Sequence, residues 1–78
     1  MEEVQRELTF GEKAVGLTFN PSGDENVQKV KELYAQIIDI CNDIRGEHRD
    51  EKSRLLSVAI TQAQQAQMWA VKAITWKD

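Results

Sequence analysis

The sequence of 78 residues has few of the groups with which very small proteins reinforce themselves. It has one cysteine, Cys41, so no disulfide can form within the chain, and one histidine, His48, whose spacing from Cys41 matches no zinc-binding pattern. Excess positive charge is missing too. Ten Lys and Arg against 13 Asp and Glu leave a formal charge of −3, which argues against sequence-independent binding to DNA or RNA polymers, a mode driven by counterion release at many basic contacts. No run approaches the roughly 18 uninterrupted apolar residues of a membrane span, and the opening Met1-Glu2-Glu3-Val4-Gln5-Arg6-Glu7 is acidic where a secretory signal is basic. A cytosolic protein is expected, and an unpaired cysteine, read as a small core residue, suits a reducing compartment.

Catalytic equipment is equally scarce. A single histidine provides little for a nucleophile and base, and the glycines at 11, 16, 23 and 46 have neither the spacing nor the strand context of a phosphate-binding fingerprint. No enzyme activity, catalytic residue, metal ligand or cofactor is expected. A chain this short buries only about 60% of its unfolded surface, so one domain over 1–78 is the limit. With disulfides and metals set aside, self-association is the remaining route to an adequate core.

What is present is helical patterning. Over 1–23 lie three of the four glycines and the only proline, and Val15, Leu17 and Phe19 alternate with Gly16 and Thr18 as in an extended arm with one buried face. Pro21-Ser22-Gly23-Asp24 reads as a turn, with Asp24 as the N-cap of a first long helix over 24–46 that ends at Gly46. Along that helix Val27, Val30, Tyr34, Ile37, Cys41 and Ile44 recur at steps of three and four, and Leu33, Ile38 and Ile40 widen the seam. Glu25 and Lys29 stand at the spacing of a weak ion pair, as do Asp50 and Arg54.

The polar stretch Glu47-His48-Arg49-Asp50-Glu51 is a bend, and a second long helix over 50–75 follows. Its Leu56, Ala59, Ala63, Ala66, Ala70 and Ala73 form a small-residue seam suited to close helix packing. Met68, Trp69, Val71, Ile74 and Trp76 lie off that seam, so its last turns are apolar on nearly every side, and another subunit is expected to cover them. The expected fold is all-α: an antiparallel two-helix hairpin with an extended or partly helical N-terminal arm, assembled as a homo-oligomer.

Asp39 and Asp43 share a helical face, which reads as a solvated acidic surface. Asn20-Pro21-Ser22-Gly23 leads into a helix start, whose free N–H groups suit either a phosphate or the capping carboxylate of Asp24. Lys13, Lys29 and Lys31 lie near that turn, with Phe10, Phe19 and Tyr34 as candidate stacking surfaces for a base. An isolated helix lysine is ordinarily solvated, and aromatics at core spacing ordinarily belong to a core.

The segment Val15-Gly16-Leu17-Thr18-Phe19-Asn20-Pro21-Ser22-Gly23-Asp24, then the first long helix, then Ala66-Gln67-Met68-Trp69-Ala70-Val71-Lys72-Ala73, resembles the anti-CBASS sponge hairpin family of bacteriophages over roughly 10–76. CBASS is a bacterial defence in which an infection-sensing cyclase makes cyclic oligonucleotides that switch on cell-killing effectors. The resemblance implies a compact helical hexamer in the cytoplasm of the infected host. It implies binding of cyclic dinucleotides, and in some members cyclic trinucleotides, in pockets between subunits, without cleavage. Carried onto this chain, it implies Lys31 as a phosphate contact and Phe19 or Tyr34 as the stacking face, Phe19 being favoured because it adjoins the turn. Asn20 and Ser22 of the turn, Lys72 of the C-terminal run, and the polar Thr61 and Gln62 complete the expected ligand set. A protein-interaction hairpin with no nucleotide ligand is the alternative reading, and a hydrolase ranks third.

Overall fold

The computed structural model describes residues 6–47 and 49–78; the acidic opening over 1–5 and His48 in the bend lie outside the described residues. Three helices make up the regular structure, α1 (Phe10–Val15), α2 (Glu25–Arg45) and α3 (Glu51–Ile74), with no strand among the described residues.

Both long helices start where a carboxylate satisfies free N–H groups of the first turn. Asp24 accepts from Asn26 at 2.7 Å and Val27 at 3.3 Å, and Asp50 accepts from Ser53 at 2.9 Å. Gly46, at φ 55°, ends α2 with its N–H on the Asn42 carbonyl. The chain then reverses, so that Arg45 at the end of α2 donates to the Ser57 hydroxyl at 3.0 Å while Val27 near its start shares a hollow with Val71. Arg54 pairs with Glu51 at 2.6 Å rather than with Asp50, whose carboxylate serves the cap, and Glu25 and Lys29 form no ion pair among the described residues.

The arm takes the partly helical form: α1 covers Phe10–Val15, and the alternating Leu17 and Phe19 lie in the non-helical link that follows it. Local chemistry fixes both ends of the helix. Thr9 and Glu12 form a reciprocal capping box: the Glu12 N–H donates to the Thr9 hydroxyl at 3.1 Å, and the Thr9 N–H donates to the Glu12 carboxylate at 2.9 Å. At the other end Gly16 takes the left-handed conformation at φ 64°, with its N–H on Lys13 and the Leu17 N–H on Glu12, a Schellman closure.

Helix α1 crosses α2 at a point of backbone contact. A Cβ on Gly11 would fall 2.1 Å from the Ala35 carbonyl oxygen, so only glycine permits this approach. Asp39 accepts the Gly11 N–H at 2.7 Å and ties the start of α1 to α2. Asp39 is therefore a half-buried anchor, not part of a solvated acidic face; Asp43 alone is exposed.

The core lies where the three helices meet, in a cluster of Val15, Ala35, Ile38, Ile60 and Ala63 with Ala14, Leu17, Tyr34 and Cys41 against it. This shifts both expected seams. On α2 the buried positions are Val27, Lys31, Ala35 and Ile38, while Leu33, Ile37, Ile40 and Ile44 are exposed. The stripe of α2 that faces inward is the one on which α1 and α3 both pack, with Gly11 of α1 in close contact with the Ala35 backbone. On α3 the buried positions are Ser53, Ile60, Ala63 and Gln67, whereas Ala59 and Ala73 of the alanine seam are exposed.

Candidate ligand-binding site

The link from α1 to α2 is held by its own polar groups. The Phe19 N–H donates to the Gly16 carbonyl at 2.9 Å and the Gly23 N–H to the Asn20 carbonyl at 3.0 Å. Ser22 donates its hydroxyl to the Asn20 side-chain oxygen at 2.8 Å and accepts the Asp24 N–H at 3.1 Å, and the Asn20 amide donates to the Asp24 carbonyl at 3.2 Å. Asn20 and Ser22 thus shape the turn, and Gly23 at φ 67° supplies the left-handed step that closes it.

Lys31 completes that framework from α2. Its side chain is 5% exposed, and the ammonium donates to the Gly16 carbonyl at 3.0 Å and also to the Phe19 carbonyl. The expectation of a solvated lysine fails here, because the turn folds back over α2 and presents carbonyl oxygens to the charge. Two of the three ammonium donors are thereby used. The ammonium also lies 5.5 Å from the centre of the Phe19 ring, and that ring is left 70% exposed.

Phe19 stands between two hollows. On one side Phe19, Asn20, Pro21 and Ser22 face Val71 and Thr75 of α3 across about 250 Å³. On the other, a hollow of about 440 Å³ is lined by Lys13, Phe19, Lys31, Gln64, Gln67 and Met68 together with the backbone of the α1 end. No carboxylate lines this second hollow, although the protein as a whole is acidic. The Phe19 ring, Lys13 and Lys31 border this hollow, with Gln67 buried beneath it and the Gln64 amide donating to the Ala14 carbonyl at 3.4 Å.

The remaining expected residues are dispersed. Lys72 lies 5.9 Å from the ring centres of both Trp69 and Trp76, beside a shallow hollow that shares Met68 with the one just described. Tyr34 is half-buried against the core and lines neither hollow beside Phe19. Thr61 and Gln62 are exposed on α3 and line neither hollow. Conversely, Gln64 and Gln67 line the second hollow, unannounced by the sequence reading. Their spacing of three on α3 was visible, but which face of α3 meets Lys31 was not.

A larger hollow of about 930 Å³ lies at the bend, lined by Arg45, Arg49 and Arg54 with Glu47 and Asp50. Size does not make it the better site. Its charges are mixed, Arg54 is committed to Glu51, and Arg45 bonds Asn42 and Ser57. Among the described residues no three His, Cys, Asp or Glu side chains gather as a metal site, and no helix is long and apolar enough to cross a membrane.

The family model of the Acb2/Tad1 hairpin domain matches the chain over residues 12–75. No curated protein and no solved structure matches the chain.

Proposed function

The chain belongs to the Acb2/Tad1 hairpin-domain family, the anti-CBASS cyclic-oligonucleotide sponges, and from that membership we propose that it sequesters cyclic dinucleotides, and cyclic trinucleotides as a second class, without cleaving them. By withholding these messengers during phage infection it blocks activation of CBASS effectors. The family match over 12–75 carries this reading. Support comes from the hollow in which Lys13 and Lys31 meet the Phe19 ring with no carboxylate present.

In this reading Phe19 stacks on a base and the free donor of Lys31 meets a phosphate. Asn20 and Ser22 hold the turn that presents Phe19. Lys72, Thr61, Gln62 and Tyr34 contribute only where a neighbouring subunit brings them to the ligand, and the functional unit is a homo-hexamer of single-domain chains in the host cytoplasm. Stacking contributes about 1–3 kcal/mol per base, and charge-assisted phosphate contacts in a partly desolvated hollow add to it. A nanomolar site corresponds to about −12 kcal/mol, within reach if subunits close over the ligand.

The purified protein, incubated with cyclic dinucleotides, washed and then heated, should release them intact. Linear products would identify a hydrolase. No uptake of cyclic di- or trinucleotides would favour the protein-interaction reading, to which the exposed Met68, Trp69 and Trp76 lend some support.

A further inference from the structure

Helix α2 carries two apolar stripes, and only one is used within the chain. Val27, Ala35 and Ile38 face the core with Lys31, whereas Val30, Leu33, Ile37, Ile40 and Ile44 run along another side at steps of three and four. Four of these are widely open: Leu33 is 59%, Ile37 48%, Ile40 59% and Ile44 49% exposed. Those steps are the a/d repeat of a coiled-coil seam, sustained over about two heptads. A solvated helix has no use for such a seam.

The flanking residues say which helix it fits. In the heptad frame the positions just before Val30, Ile37 and Ile44 are Lys29, Gln36 and Asp43. When two copies of such a seam run antiparallel these positions face one another, and centring the pair on Gln36 sets Lys29 opposite Asp43 twice over, with the two Gln36 amides meeting on the axis. Val30 then packs on Ile40 and Leu33 on Ile37, with Ile44 at the rim. A parallel pairing would set Lys29 against Tyr34 and Gln36 against Cys41, with no charge complementarity. Lys29 and Asp43 are both exposed, and neither has an ion pair among the described residues.

We propose that the exposed seam of α2 packs antiparallel against the same seam of a second copy of this chain, with Lys29 of each opposite Asp43 of the other. The contact is isologous, as a two-fold interface requires. It deepens the assembly part of the sponge reading and is separate from the apolar surface at the end of α3. The apolar layers supply the affinity and the charge pairs select the orientation.

Sedimentation of the full chain tests this directly. Ile37→Glu should abolish pairing through the seam while helicity by circular dichroism is unchanged, because the position is exposed. Lys29→Glu should weaken pairing about tenfold by making both flanking contacts repulsive, and adding Asp43→Lys should restore it. In a Cys41→Ala background, Gln36→Cys should form a disulfide-linked dimer on mild oxidation. If Gln36→Cys stays uncross-linked and Lys29→Glu has no effect while the parent still assembles, the seam is not the interface and the sponge reading stands. A parent that sediments as a single chain removes both the seam and the pocket between subunits, whereas loss of nucleotide uptake with cross-linking intact removes only the ligand.

Discussion

Lys31 shows how one side chain can hold a turn together at the border of a proposed ligand site. Its ammonium supplies the donors for the Gly16 and Phe19 carbonyls in a place almost closed to water. Lys31→Ala should therefore lower folding stability by about 1–3 kcal/mol, the usual cost of leaving buried acceptors unpaired, and should weaken cyclic dinucleotide binding tenfold or more. Chemical denaturation and calorimetry measure the two effects, and unchanged affinity in the folded variant would remove Lys31 from the site. Phe19→Ala separates the roles, because its exposed ring holds little of the fold: stability should change little while affinity falls by about 1–3 kcal/mol of stacking. The resemblance named Lys31, Phe19, Asn20 and Ser22 as candidates, and the structure places them around one turn. It did not show that Lys31 turns its charge onto backbone 12 and 15 residues away, because that contact depends on the path of the turn over α2.

Helix α1 is the element that sequence patterning left open. Six residues are too few to hold a helix alone, and this one persists because of its capping box, its glycine closure and its seat on α2. The capping-box signature, Thr9 followed three residues later by Glu12, was in the sequence, whereas the alternation from Val15 to Phe19 concerns the non-helical link after it. Gly11→Ala should cost about 1–3 kcal/mol through overpacking against Ala35, seen as a lower denaturation midpoint; an unchanged midpoint would mean that α1 does not cross there. The cap is also sensitive to pH. Arg6, bonded to both Glu12 oxygens at 2.8 and 2.9 Å, and the Thr9 N–H hold the Glu12 carboxyl far below its ordinary range, at about 2. A carboxyl depressed on folding contributes fully above its unfolded pKa of about 4.3, and the contribution fades as pH falls toward the folded value. The Glu12 side chain should accordingly titrate near 2 by NMR, with α1 loosening across that window. A titration near the unfolded value would show that Arg6 does not hold it in solution.

At the scale of the whole molecule, the thinnest dimension of the Cα framework is 12 Å, little more than one layer of helices. Domains ordinarily bury their apolar faces between two layers, and here the second layer is missing while Leu33, Ile40, Met68, Trp69 and Trp76 stand open. The chain should therefore sediment as an oligomer at working concentrations and should melt at a higher temperature as protein concentration rises, since dissociation exposes these surfaces. A concentration-independent melt would contradict this.

The two long helices, the cap at Asp24, the helix stop at Gly46 and the family resemblance were all readable from the chain, because each depends on residues close together in sequence. Periodicity also showed that the last turns of α3 had more apolar surface than one neighbour could cover. Which stripe of α2 faced inward was a tertiary decision, made where α1 and α3 pack on α2 around Ala35 and Ile38. In that arrangement Lys31 lies beneath the turn, and Leu33, Ile37, Ile40 and Ile44 face out. Sequence periodicity counts apolar residues on a helix, but only the packing of α1 and α3 against it determines which of them reach the core.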